Sequence, residues 1–339
     1  MNRSLYTGIA NIARSAGLLR LGERRFRGGT FVMMLHRVLP KAELSDCYNP
    51  HLALTTDALD SFLREIQQIG RLISLKDAVT RIQGKPNDSA TCFAITFDDG
   101  WEDNHRCAFP ILRAHDAPAT IFLVTGAIGT DKVLPEERLW RVWRAAEKTG
   151  RIAVVRNRLE PLARGADTFY QVHQAMKKVS FVKKDETLSA LELTLEVDPP
   201  KRRFLTWEEA SEMSPHGIEF GAHTVSHAVL TAESAEAAMQ ELTESRRAIE
   251  RRIGRSCWHF AYPNGYYNEA AEHAVRDAGF TAAFATTPVM ARAGDGTFRI
   301  PRVPLDNTVV SSGSGEFSAA GCRLFLVQSA AGSAAEHEY

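Results

Sequence analysis

Three short stretches of this sequence carry residue types that could act together at one place. Thr96-Phe97-Asp98-Asp99-Gly100 closes the apolar run Thr91–Phe97. Side chains alternate faces along a strand. A glycine just after the strand lets the chain turn, so that both carboxylates can reach one site. Adjacent carboxylates repel unless a cation or a proton lies between them. A metal ligand beside a general base supplies such an arrangement, and a solvated Asp-Asp-Gly turn is the plainer alternative. His223-Thr224-Val225-Ser226-His227 follows a second apolar run, Ile218–Ala222. Histidines four apart share a face if the segment makes one helical turn. One carboxylate and two imidazoles form a three-ligand set with open positions, which suits a catalytic zinc. With 11 histidines in the chain, two unrelated loop histidines are the alternative. Tyr262-Pro263-Asn264-Gly265 follows a third run, Cys257–Ala261. It is either an ordinary turn or one that offers backbone N–H groups to a developing oxyanion.

These stretches need elements to hold them. Strands are expected at Thr30–Leu35, Thr91–Phe97, Ala119–Val124, Ile218–Ala222, Cys257–Ala261 and Phe280–Ala285, with helical spacing between them at 56–70, 77–82, 105–115, 233–253 and 268–278. Alternating strands and helices predict a parallel α/β sheet or barrel. Thr206 and Glu209 form a capping box at the start of a short helix. Residues 129–203 interrupt the rhythm with dense charge and helical pieces near 136–148, 168–181 and 185–195, and read as a helical insertion. After about residue 311 the chain is rich in Ser, Gly and Ala, although Leu324–Val327 could dock.

Residues 1–27 stand apart from this pattern. Leu5, Ile9, Ile12, Ala16 and Leu19 form a helical stripe, and Arg3, Arg14, Arg20, Arg24, Arg25 and Arg27 outnumber the single acid, Glu23. Such a segment either packs on the flank of the domain or lies on an anionic membrane surface as a peripheral contact. Its apolar run, Ile9 to Leu21, is broken by Arg14 and Arg20, so a cleaved signal peptide is not expected. The chain's 339 residues are 44% hydrophobic and 24% charged, enough for a core of normal size. A formal net charge of +0 argues against nucleic acid as a partner. Five widely spaced cysteines without a CxxC pair argue against a disulfide framework and fit a cytoplasmic location, with or without membrane association.

Taken in order, the three stretches resemble the motifs of the polysaccharide deacetylase family, also called the NodB-homology or carbohydrate esterase 4 family. Thr96–Gly100 resembles its Thr-Phe-Asp-Asp-Gly motif, His223…His227 its His-(Ser/Thr)-x-x-His motif, and Tyr262–Gly265 its third motif. The resemblance covers about residues 30–128 and 204–305, within a domain of about 28–310 that leaves 311–339 as a tail. It implies a distorted (β/α) barrel of about seven strands with the site at their C-terminal ends. It implies Asp98 as general base and Asp99, His223 and His227 as ligands of a divalent metal, most naturally zinc. An arginine that orients the base in many members is replaced by Ala261, so Arg299 and Arg302 are candidates for that task. The family's late Leu-x-Leu-His motif is missing, whereas Met34-Leu35-His36-Arg37-Val38 resembles the permuted poly-N-acetylglucosamine deacetylase branch, which assigns the acid role to His36.

The reaction so implied is hydrolysis of an N-acetyl group on an amino-sugar polysaccharide or lipid-linked glycan, with Pro263, Asn264 and Gly265 forming the oxyanion and substrate turn. Two other readings are a deformylase or amidase acting on a lipid-linked amino sugar, and a catalytically silent glycan-binding protein. Trp101, Trp140, Trp143 and Trp207 are candidates for stacking on sugar faces or for core packing.

Overall fold

The computed structural model describes residues 3–84, 88–312 and 315–332. Seven parallel strands form the main sheet: β1 (Thr30–Leu35), β2 (Cys92–Phe97), β3 (Ala119–Leu123), β4 (Ile218–Ala222), β5 (His259–Ala261), β6 (Ala282–Phe284) and β7 (Val303–Pro304). Their spatial order is β7-β1-β2-β3-β4-β5-β6, with the short strand Arg71–Leu72 added beside β2. The sheet curls until Phe284 and Ile300 bridge in parallel, where Ala285 N–H donates to Ile300 O at 2.9 Å. The result is a distorted (β/α) barrel.

Strands covered on both faces need apolar residues throughout, and every residue of β1 and β2 is buried. Alternation along the strands separates two cores. Phe31, Met33, Phe93, Ile95, Ile121 and Leu123 pack with the outer helices. Val32, Ala94, Phe122, Ala261, Phe284 and Ile300 fill the interior. Gly221 makes room for Phe122, since a Cβ there would lie 2.5 Å from the ring.

Helices α1 (Arg3–Ser15), α2 (Leu18–Glu23), α3 (Thr56–Gln67), α4 (Leu75–Gln83) and α5 (Phe109–Ala114) precede the insertion, and α10 (Trp207–Met213), α11 (Ala235–Ile253), α12 (Glu269–Asp277), α13 (Asn307–Val310) and α14 (Ala319–Ala330) follow it. The insertion holds four helices: α6 (Pro135–Lys148), α7 (Ile152–Leu159), α8 (Phe169–Met176) and α9 (Phe181–Thr194). The sequence reading missed α7, whose Val155 and Leu159 join a core belonging to the insertion itself. The second expected piece, 168–181, is shorter than its pattern suggests: the chain leaves the helix after Met176 and restarts at Phe181.

The Ser/Gly/Ala-rich segment carries α14, which buries Cys322, Phe325 and Leu326 against the barrel's outer layer. Helix α1 packs on α14, but not by the expected stripe. Ala10 and Leu19 are buried, while Leu5, Ile9, Ile12 and Ala16 face outward.

Candidate active site

Register and alternation set the site. Leu35 pairs with Phe97, and Asp98 N–H donates to Leu35 O at 2.8 Å, so His36 and Asp98 leave neighbouring strands at the same level. Along β2 the interior positions run Ala94, Thr96, Asp98. Along β4 the interior glycine, Gly221, leads to His223. The polar residues thus emerge together at the C-terminal mouth of the barrel, above its apolar filling.

The turns that gather them are strained. Among the described residues, six non-glycine residues have positive φ, and four lie in the three motifs: Asp99 (73°), Thr224 (68°), His227 (62°) and Asn264 (56°). Such conformations persist where the surroundings hold them, commonly at functional sites. His223–His227 is therefore not the helical turn expected from the spacing. It is a loop folded by left-handed Thr224 and His227, yet the two rings still converge, with centroids 5.1 Å apart. Glu241 of α11 pins this loop by accepting from Val225 N–H (2.7 Å), Ser226 N–H (3.0 Å) and Ser226 Oγ–H (2.6 Å).

One buried oxygen organises the centre. Asp99 Oδ2 accepts from Trp101 Nε1–H at 2.8 Å, but Asp99 Oδ1 is buried without a hydrogen-bond partner. His223 Nε2 and His227 Nε2 each lie 3.6 Å from it. His223 Nδ1 is 2.7 Å from Ala261 O, which can only accept, so the ring proton sits on Nδ1 and the Nε2 lone pair faces Asp99. Burial holds His223 near a pKa of about 4, hence neutral. His227 Nδ1 lies 3.2 Å from Glu136 Oε2, within ion-pair range although not aligned as a hydrogen bond. Burial lowers the His227 pKa, but the Glu136 charge outweighs it and the net shift is upward. The ligand atoms of Asp99, His223 and His227 lie within 4.8 Å of one another. An orphaned carboxylate oxygen facing two imidazole nitrogens is what a divalent cation would satisfy.

Asp98 is buried beside this cluster and paired with Arg302, whose Nη1 and Nη2 donate to its two oxygens at 2.6 and 2.7 Å. Burial raises the Asp98 pKa, but the guanidinium and its hydrogen bonds prevail and hold it at about 2. Arg302 is itself anchored by Ala285 O at 3.1 Å. Arg299, the other arginine candidate, is exposed and does not line the cavity.

The site opens into a cavity of about 310 Å³. His36 lines it, and its backbone is fixed from both sides: Asn104 Nδ2 donates to His36 O (2.8 Å), and Asp103 binds Arg37 and Val38 N–H. Asn264 and Gly265 also line the cavity, while Pro263 is buried and does not. The Gly265 N–H already donates to Tyr262 O at 2.8 Å, but Asn264 Nδ2 is buried without a partner. With the Gly265 N–H engaged, the Asn264 side-chain amide is a donor this turn can offer. Gly265 is required here, since a Cβ would lie 2.1 Å from Thr286 Oγ1.

None of Trp101, Trp140, Trp143 and Trp207 lines the cavity; its aromatic residues are Tyr48 and Tyr266. The insertion supplies Glu136, His173, Gln174 and Lys177 to the walls. A larger cleft of about 730 Å³ between insertion and barrel is lined mainly by apolar groups, and its charges include Arg138 paired with Asp185 and Glu192.

A curled parallel sheet with its polar residues collected at the strands' C-terminal ends defines a NodB-type (β/α) barrel. Residues 85–283 match the polysaccharide deacetylase family. That stretch is more than half of the chain, and the chain belongs to this family. It is 21% identical over 242 residues to YxkH of Bacillus subtilis (strain 168), a match that covers 71% of this chain and 61% of that relative's length. In three dimensions it is similar to the Streptococcus pyogenes deacetylase PplD solved with acetate (TM-score 0.56, 18% identity, 85% of this chain and 96% of that one). It is equally similar to IcaB from Ammonifex degensii (TM-score 0.56, 17% identity, 87% and 97%).

Proposed function

We propose that the protein is a metal-dependent hydrolase that removes N-acetyl groups from an amino-sugar glycan. The observation that carries this reading is the buried, unpartnered Asp99 Oδ1 facing the Nε2 atoms of His223 and His227. Asp99, His223 and His227 would hold the cation, for which zinc suits the ligand types and number. Bound there, it would acidify a water and polarise the acyl carbonyl.

The chain's own residues do the rest. Asp98 accepts the proton of the attacking water, and Arg302 keeps its carboxylate ionised and aimed. Asn264 Nδ2–H donates to the carbonyl oxygen as negative charge builds on it. His36, when protonated, gives its proton to the departing amine, without which an amide nitrogen is a very poor leaving group.

Asp98→Asn removes the base but none of the three ligands. It should slow acetate release from N-acetylated glycans by about a hundredfold or more while the purified protein keeps its metal. Turnover at the wild-type rate would overturn the assignment of Asp98. Bound metal should disappear in Asp99→Ala and in His223→Ala, and a metal-free wild-type protein would overturn the mechanism. Measuring formate beside acetate distinguishes a deformylase from a deacetylase at the same site.

A further inference from the structure

Helices α1 and α2 each turn aliphatic side chains outward, and exposed arginines lie along the same segment. Leu5, Ile9 and Ile12 lie three and four residues apart and share one face of α1. They are 57%, 44% and 71% exposed, and Leu18 and Leu21 on α2 are each 58% exposed. The helices are nevertheless firmly placed, because their other face docks. Ala10 and Leu19 are buried, and Tyr6 Oη–H donates to Gln328 Oε1 at 3.1 Å. Gly22 lets α2 close on α14, where a Cβ would stand 2.7 Å from Val327 Cγ1. Arg323 of α14 holds Glu23 at 2.9 Å. Ala10, Leu19, Gly22 and two polar contacts thus anchor the pair, while Leu5, Ile9, Ile12, Leu18 and Leu21 point away from the core. A contiguous apolar patch on a protein surface marks an interaction site.

Charge selects the partner. Arg14, Arg20, Arg24, Arg25 and Arg27 are all exposed, and the one acid of this segment is occupied by Arg323. We infer that this face seats the protein on an anionic lipid surface, with the aliphatic side chains at the acyl boundary and the arginines among the headgroups. Among the described residues no helix is long and apolar enough to cross a membrane, so the contact is peripheral. A second copy of the chain could cover the same aliphatic patch, but a symmetric contact would bring like-charged arginine fringes together.

The test is co-sedimentation of the full chain with vesicles of phosphatidylcholine alone and of phosphatidylcholine mixed with phosphatidylglycerol. Binding is expected to the mixed vesicles only and to weaken as salt rises. Ile9→Ser/Ile12→Ser should lower the partition coefficient by about tenfold or more. Both positions are exposed, and an unchanged thermal melt of that variant verifies its fold. No binding, equal binding to neutral vesicles, or an unaltered partition of the serine variant would overturn the inference. So would a concentration-dependent dimer in light scattering that the serine variant abolishes.

Discussion

Asp98 and Asp99 are chain neighbours in opposite circumstances. Asp98 has both oxygens bound by Arg302, whereas Asp99 keeps one buried oxygen without a partner. The same contrast separates the two histidines. A backbone carbonyl fixes His223, while a carboxylate from the insertion faces His227. A carboxylate behind a metal-binding imidazole orients the ring and increases its basicity as a ligand. Glu136→Gln should therefore weaken metal binding by about 10- to 100-fold, read by competition with a chelator, though Glu136 is not itself one of the three ligands. Unchanged affinity would mean that Glu136 is a bystander. Asp98, Asp99, His223 and His227 were legible because each lies in a short motif directly after a strand. Glu136 was not: it sits 91 positions before His227, in the first turn of α6, where acidic residues are ordinarily explained by the helix dipole. The choice between Arg299 and Arg302 likewise needed the register of β7, which turns Arg302 into the barrel.

At the scale of elements, the strands and the α10 capping box could be read from local pattern. Thr206 Oγ1 accepts from Glu209 N–H and Glu209 Oε2 from Thr206 N–H, as the Thr-x-x-Glu spacing demands. The loop between β4 and α11 could not. Left-handed backbone is unusual for a β-branched residue such as Thr224, and nothing within His223–His227 calls for it. Support comes largely from outside the motif, from Thr125 and Gly126, whose N–H groups donate to Thr224 O and Val225 O, and from Glu241 with its three hydrogen bonds from the loop. Glu241→Ala should leave these donors unsatisfied and relax the loop, reducing metal affinity while α11 remains folded. Glu241→Gln keeps an acceptor oxygen and should recover part of the loss. If the alanine variant binds metal as tightly as the wild type, the loop holds its own shape and α11 only flanks it.

For the molecule as a whole, burial in the barrel keeps two histidines, His223 and His259, neutral. His259, on β5, is buried edge-on against Phe284, and burial followed by the nearby Lys76 charge lowers its pKa from 6.5 to about 4. His173 and His223 are shifted in the same direction, chiefly by burial, and His227 in the opposite one. A histidine with a depressed folded pKa stabilises the fold fully above its unfolded pKa, and that contribution is lost as pH falls from 6.5 towards 4. For His259 alone the loss between pH 7 and pH 5 is roughly 2 kcal/mol. His227, which gains affinity for its proton on folding, offsets part of the total over the same interval. Asp98, held at about 2, keeps its contribution until much lower pH. Denaturant melts at pH 7 and pH 5, with chelator present to keep metal out of the comparison, should show the wild type weakening with acid. His259→Leu changes packing at both pH values but removes the titration, so its loss between them should be smaller by roughly 2 kcal/mol. Equal losses in the two proteins would show that His259 titrates alike in the folded and unfolded chain, and that the acid sensitivity of the barrel arises at its mouth instead.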